Sequence, residues 1–470
     1  MRALTRVLAT ACLAAALAGC SLVPKHVQPA PPLPADWTSG GGAPSQANAT
    51  LPDWRLVITD EPMRRVVELA LEGNRDLRVA VLKIEKAQAQ YQIQRADLLP
   101  KIDATAGANM QRTPAPLSGK TVAVTSRAYS VGLGFSAFEL DLFGRVQSLK
   151  DAALEQFLAT EESRKSVELS LVAEVATAYL TLAADREHLA LAREILETEQ
   201  ASHEVVQSRF DFGVANELDL SRAQTTVDTA RVQVARYQAQ VTADENMLAV
   251  LVGQPLAPEL APAKSLAEVA PVSPVPVGLP SEVLTRRPDV QAAEHQLKAA
   301  NADIGAARAR HFPSISLTGS YGTASNEVDN LFKSGTVAWS FVPQITLPIF
   351  NAGAISAGVK AAEAERNILV AQYEKAVQTA FREVSDALAQ GASLAAQVQA
   401  QTSLTTATAK SYELSTLRYE AGVDSFLSKL DAQRSHAASR QELIAARLGR
   451  QANMLTLYKT LGGGWSERPE

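Results

Sequence analysis

The chain is written twice. Asp76 to Pro100 (DLRVAVLKIEKAQAQYQIQRADLLP) and Asp289 to Pro313 (DVQAAEHQLKAANADIGAARARHFP) carry the same polar, alanine-rich helical pattern at the same length, and each runs into a proline that opens a strand-like stretch. Further on, RFDFGVANELDLSRAQ (Arg209 to Gln224) aligns without a gap on RYEAGVDSFLSKLDAQ (Arg418 to Gln433), and each copy continues through another long helical pattern. A unit of roughly two hundred residues is too long for a solenoid repeat and predicts a pseudo-symmetric assembly.

Arg2 and Arg6 precede an apolar run from Val7 through Leu17, which ends in LAGC at Leu17 to Cys20. That order reads as a signal peptide, residues 1–19, closing on a lipobox, so Cys20 is expected to be the lipidated N-terminus of the mature chain. Ser21 rather than Asp follows it, which under the bacterial sorting rule addresses a lipoprotein to the outer membrane. Cys12 leaves with the signal, and disulfides, thiolate catalysis and cysteine metal sites are excluded with it. The six histidines, His26, His188, His203, His295, His311 and His436, have no metal-ligand spacing, so neither a metal nor another cofactor is expected. A net charge of −5 with acids and bases interspersed leaves no footprint for nucleic acid. No later segment offers the run of about 18 apolar residues that a transmembrane helix needs. A membrane crossing must therefore be made with strands.

Residues 20–60 are rich in proline and glycine and predict an extended arm, and residues 254–280 (QPLAPELAPAKSLAEVAPVSPVPVGLP from Gln254) predict a linker between the copies. The first repeat is expected over 61–253, with strands at about 101–138 and long helices at about 144–251. The second is expected over 281–465, with strands at about 313–347 and helices at about 353–460, before a tail at 466–470. From Gly144 to Asp211 there is no proline, and helix formers dominate. At 1.5 Å per residue this predicts on the order of 100 Å of helix. Leu171, Val175, Ala178, Leu182, Leu189, Ala192 and Leu196 keep a spacing of three and four, interrupted by Asp185, and predict a coiled-coil-like seam.

The strand-like runs alternate. Ile102, Ala104, Ala106, Ala108 and Met110 are interleaved with polar or small residues, as are Tyr129, Val131, Leu133 and Phe135. In the second copy Ile315, Leu317 and Tyr321, then Val337, Trp339, Phe341 and Ile345, do the same. Runs of about ten residues with a small second face are the pattern of outer-membrane barrel strands. Four strands cannot close and open edges are not tolerated in lipid, so a barrel must be shared between subunits. Eight strands from a dimer or twelve from a trimer would both satisfy that demand. Gly213 and Gly422 share an Arg-aromatic-X-X-Gly-Val setting and sit where a long helix must stop and reverse. Glycine enters the left-handed conformation at a helix end without steric cost, which marks these two as helix-reversal tips.

Several motifs in one order resemble the outer-membrane factor family of tripartite efflux and secretion systems, the TolC-like proteins, and within it the OprM-like lipoprotein branch. They are the stretch from Gly278 to Gly319, LPIFNAG (Leu347 to Gly353), FELDLFGRV (Phe138 to Val146), RYEAGVDSFLSKLDAQR (Arg418 to Arg434) and LGGGW (Leu461 to Trp465). The resemblance implies a mainly α fold with a membrane β-barrel portion: a homotrimer with a shared 12-stranded barrel in outer-membrane lipid and a long periplasmic α-barrel. It implies passive conduction of solutes such as drugs, with energy from an inner-membrane pump, most often of the resistance-nodulation-division class, coupled through a periplasmic adaptor (membrane fusion) protein. It also places Leu427 and Asp431 at a periplasmic gate, with Asp219 near by; in the repeat alignment Asp431 corresponds to Arg222. No phosphate-binding loop or catalytic constellation is present, so no enzyme is expected. Glu161 and Glu162 are read as solvated on a charged helix face. Within the family the alternative is the conduit of a type I protein secretion system. A periplasmic adaptor is the competing class, but a single inserted hairpin would not duplicate a strand pair with its long helices.

Overall fold

The computed structural model describes residues 22–29, 51–119, 121–262, 265–273 and 281–464. The signal peptide, Cys20, the remainder of the arm, parts of the linker and the tail lie outside the described residues. In order, the main elements are α1 (Glu61–Gly73), α2 (Arg75–Ala96), β1 (Asp103–Thr113), β2 (Val124–Leu140), α3 (Arg145–Asp211), α4 (Glu217–Val252), α5 (Pro288–Ala309), β3 (Ser314–Ser325), β4 (Val337–Thr346), α6 (Ala354–Glu420) and α7 (Phe426–Thr460). The fold is mainly helical with one sheet, and its helix, strand pair, long helix, helix order occurs twice.

The chain divides into two compact units. The first takes residues 22–29 of the arm together with residues 83–161 and 292–373. Its sheet is antiparallel in the order β1-β2-β3-β4. Register places Ala104, Leu133, Tyr321 and Trp339 in one row across all four strands, and Asp103, Gly134, Ser320 and Ser340 in the next. Because side chains alternate across a strand, neighbouring rows face opposite ways. One face thus gathers the large apolar groups, and Leu133, Tyr321, Trp339 and Phe341 on it are more than half exposed. The other face is mostly small or polar, with Val342 as an exposed exception. Of the arm expected over 20–60, residues 22–29 have no regular structure, with Gln28 donating to Tyr373 Oη at 3.1 Å. Residues 51–60 correct the expectation of an extended chain, since Asp53 caps a short helix at Trp54–Val57 by accepting the amide of Arg55.

The second unit takes the described residues within 51–82, 162–291 and 374–464. Asp60 caps α1 by accepting the amide of Met63 at 2.9 Å, and the apolar face of α1, Met63, Val66, Val67 and Ala70, is fully buried. α3 is buried more widely than a single seam. Besides Leu171, Val175, Leu182, Leu189 and Ala192, it buries Val172, Ala176, Tyr179, Leu180, Ala183 and Ala184, whereas Ala178 and Leu196 are only half-buried. A stretch of α3 reaches a mean hydropathy of 1.5 over 18 residues, and 61% of it is buried inside the protein. Packing against protein accounts for its apolarity. Glu162 corrects the expectation of a solvated carboxylate: it is 8% exposed, and Lys165 Nζ donates to it at 2.6 Å. Its neighbour one turn on supplies a cation that the helical periodicity alone did not weigh.

Arg287 is the most heavily satisfied charge in this unit. Its guanidinium donates to Asp289 at 3.0 and 2.7 Å, to Glu383 at 2.9 Å and to the carbonyl of Thr460 at 2.6 Å. A buried guanidinium is tolerable when its fork is filled in this way.

Candidate functional site: the paired helix reversals

Two helical hairpins in the second unit, α3 to α4 and α6 to α7, are built alike. After α3 the carbonyl of Arg209 accepts the amides of Val214 at 2.8 Å and Ala215 at 3.1 Å; after α6 the carbonyl of Arg418 accepts those of Val423 at 2.9 Å and Asp424 at 3.3 Å. Closing the chain so tightly requires a left-handed residue, and Gly213 (φ 76°) and Gly422 (φ 73°) fill that place. Each following helix has a side-chain cap: Asn216 accepts the amide of Asp219 at 2.9 Å and Ser425 accepts that of Ser428 at 3.3 Å.

The side chains break the symmetry. In the second hairpin Arg418 makes a bidentate pair with Asp424 at 2.6 and 3.1 Å, and this pairing holds the Asp424 carboxyl below and the Arg418 guanidinium above its ordinary value. The position equivalent to Asp424 in the first hairpin is Ala215, which leaves Arg209 without that partner. Arg209 instead donates to Tyr419 Oη at 2.8 Å and lies 5.2 Å from the centre of its ring, with Lys429 Nζ at 5.5 Å from the same ring. Beneath them Val206, Ala223, Phe426 and Leu430 form a buried cluster against Leu220 and Tyr419. Arg209 thereby fastens the first hairpin to the second through the Tyr419 ring, which Lys429 of the second hairpin also approaches.

Of the residues expected at a gate, Asp219 and Arg222 come together, with Nη1 of Arg222 3.8 Å from Oδ1 of Asp219. Leu427 is 42% exposed and Asp431 is exposed. Among the described residues the Asp431 carboxylate makes no ion pair or hydrogen bond, although its carbonyl accepts from Ser435 Oγ at 2.9 Å, and Arg222 pairs with Asp219 rather than with it. Arg209, Tyr419 and Lys429 were missed by sequence reasoning. Comparing the repeats position by position, Ala215 against Asp424 and Leu220 against Lys429, would have pointed to them.

Among the described residues no cluster of three or more His, Asp or Glu side chains is placed to hold a metal ion. A sheet with one large apolar face, joined to long paired helices, defines an outer-membrane channel of the barrel-and-helix type. The outer membrane efflux protein family profile matches residues 66–254 and 279–463, the two copies in turn. The chain is 45% identical over 456 residues to the probable efflux pump outer membrane protein TtgC of Pseudomonas putida, covering 96% of this chain and 94% of that one. It is similar to a membrane protein of Pseudomonas aeruginosa of known crystal structure (42% identity, TM-score 0.89, 95% and 98% of the two chains). It is also similar to the open-state MtrE outer membrane channel of Neisseria gonorrhoeae (38% identity, TM-score 0.86, 95% and 98% coverage). The chain belongs to the outer membrane efflux protein family. It is an outer-membrane component of an efflux system, a conduit and not an enzyme.

Proposed function

We propose that three copies of this chain form one tube that passively conducts small molecules such as drugs to the exterior, fed by an inner-membrane transporter through a periplasmic adaptor. The observation that carries this reading is the sheet. Its four strands present a large apolar face, and β1 and β4 are its outer strands. Lipid does not tolerate unpaired strand edges, so further copies must complete a closed barrel, and the resemblance to the TolC-like family favours twelve strands from three chains over eight from two. Cys20 carries lipid as an accessory anchor. The resemblance to the OprM-like branch favours a proton-driven pump of the resistance-nodulation-division class as the inner-membrane partner.

Gly213 and Gly422 then mark the periplasmic tips, and Leu427 with Asp431 rings the threefold axis as a gate, flanked by the Asp219 and Arg222 pair. Three exposed Asp431 carboxylates brought together repel one another. The test is conductance. In planar bilayers the double variant Leu427→Ser with Asp431→Ala is expected to raise single-channel conductance and, in cells, entry of large antibiotics. Unchanged conductance with assembly confirmed would place the gate elsewhere. Deletion of the gene should raise sensitivity to drugs or solvents; loss of a secreted polypeptide with unaltered sensitivity would favour the secretion reading instead.

A further inference from the structure

Charge is spread unevenly over the sheet. Residues 104–138, the first strand pair, hold Arg112, Lys120 and Arg127 and no Asp or Glu, whereas residues 314–346, the second, hold Glu327, Asp329 and Lys333. At the end of the sheet where α2 enters and α3 leaves, cations are matched by acids: Lys101 Nζ donates to Asp97 at 2.8 Å, and Arg145 Nε donates to Glu139 at 2.8 Å. The turn end differs. Arg112 and Arg127 are both exposed there, and among the described residues neither makes an ion pair or a side-chain hydrogen bond.

Register decides which way they face. Met110 lies opposite Arg127 and Thr125 opposite Arg112, and each arginine is an even number of residues from the row of Ala104 and Leu133. Both therefore stand on the large apolar face of the sheet. They are diagonal neighbours on adjacent strands, roughly 7–8 Å apart, so that their long side chains can close on one anion. Along β3 that face carries no charge from the row of Leu140, Ile315 and Ile345 to the row of Tyr129 and Ser325. At about 3.4 Å per residue and a tilt of about 40°, this stretch rises roughly 26 Å, close to the apolar band of about 25 Å that an outer-membrane barrel presents. Arg127 stands in the next row and Arg112 in the one after it. Both cations thus face outward at the level of lipid headgroups, and because the turns lie opposite the helices, the leaflet is the outer one.

We propose that Arg112 and Arg127 clamp the phosphate of an outer-leaflet lipid, a phosphorylated glycolipid of the kind that fills that leaflet. A cation on a lipid-facing surface is unfavourable without an anion at its own depth. The strand pair supplies no acid, and lipid phosphate lies at that depth. The planar fork of arginine meets phosphate oxygens two at a time, which a lysine ammonium does not. Aligned on Pro100 and Pro313, the second strand pair has Ser325 where the first has Arg112, so each chain carries one clamp, beside its first turn. This rests on the reading of the sheet as part of the membrane wall and names the lipid that the wall holds.

The test is lipid retention by the full chain in detergent micelles, read by native mass spectrometry. The probes are diphosphorylated lipid A, its fully dephosphorylated form, phosphatidylglycerol and inorganic phosphate. The parent is expected to retain diphosphorylated lipid A over the other three. Arg112→Gln with Arg127→Gln is expected to bind it about tenfold or more weakly, and Lys101→Gln, at the other end of the sheet, as well as the parent. Should the glutamine variant assemble poorly, Arg112→Lys with Arg127→Lys keeps the charge, loses the fork and is expected to bind several-fold more weakly than the parent. Unchanged retention in either double variant overturns the clamp, as does equal retention of dephosphorylated lipid A or phosphatidylglycerol, or binding of inorganic phosphate in preference to the lipid. Labelling of whole cells with a water-soluble maleimide, with the parent as background, tests the membrane wall itself. Leu133→Cys, at a position 58% exposed in the single chain, is expected to stay unlabelled because lipid covers it. A labelled Leu133→Cys overturns the wall and the clamp together. A protected one, with lipid retention unchanged in the arginine variants, overturns the clamp alone.

Discussion

Asp185 interrupts the apolar pattern of α3, and its surroundings explain how an acid persists there. Burial, with Asp244 of α4 as hydrogen-bonding neighbour and Arg236 opposing, pushes its carboxyl up to about 7 from an ordinary 3.8. A folded-state value raised above the unfolded one means that the native state holds the proton longer. The stabilisation is fully present below about 3.8 and is lost as pH rises through about 7. Asp185→Asn, which keeps the shape without the titration, is expected to flatten this dependence. Thermal melts at pH 5 and pH 8 should differ less for the variant than for the parent, and equal slopes would remove Asp185 from the account. Arg287 makes the opposite case, a charge kept charged by its partners. Arg287→Ala leaves Asp289 and Glu383 without their cation, but both are partly exposed, so the expected cost is that of the lost charged hydrogen bonds, about 1.5–3 kcal/mol. Chemical denaturation of the purified protein reads that loss, and a shift below about 1 kcal/mol would mean that the two carboxylates find water instead.

At the scale of elements, two 67-residue helices end in the same turn, and the turn has one steric requirement. A side chain at φ 73° costs roughly 1–2 kcal/mol, more when it is β-branched, while Asn tolerates the region. Gly422→Val is therefore expected to impair drug tolerance in cells although the protein reaches the membrane, and Gly422→Asn to retain most of it. Wild-type tolerance with valine would show that the turn can form without a left-handed residue. This element was plain in the sequence because a helix stop with a matched glycine is a local signal. Strand ends were less so: β2 runs on to Leu140, carried by its pairing with Ile315 through an irregularity between Phe135 and Phe138. Pairing partners lie far apart along the chain, and alternation alone does not locate a bulge.

For the whole molecule, duplication is the governing fact. From α2 to α4 each helix and strand has a counterpart in α5 to α7, and where counterparts differ in charge, as Ala215 differs from Asp424, the contacts they make differ too. The lipid anchor proposed at Cys20 has no counterpart in the second copy. Cys20→Ala, given a non-lipoprotein signal sequence, is expected to lower the yield in the outer membrane by several-fold while the inserted protein still conducts. Bilayer recordings on material of verified mass check this; no conductance from correctly assembled protein would make the lipid part of the conduit.

Element order, the two turns and the amphipathic strands were legible in the sequence because each is encoded by local periodicity or by one residue's permitted φ. Even the family resemblance rests on short, contiguous motifs. The remainder depends on contacts between distant residues. Arg209 reaches Tyr419 because Ala215 offers it no carboxylate. Arg287 binds the end of α7 and Glu383 because folding brings three remote segments to one guanidinium. Glu162 is buried, although its sequence neighbourhood is that of a wet helix face. Helical periodicity says that a face exists; what covers that face is set by packing, which sums over the whole chain and has no local signature.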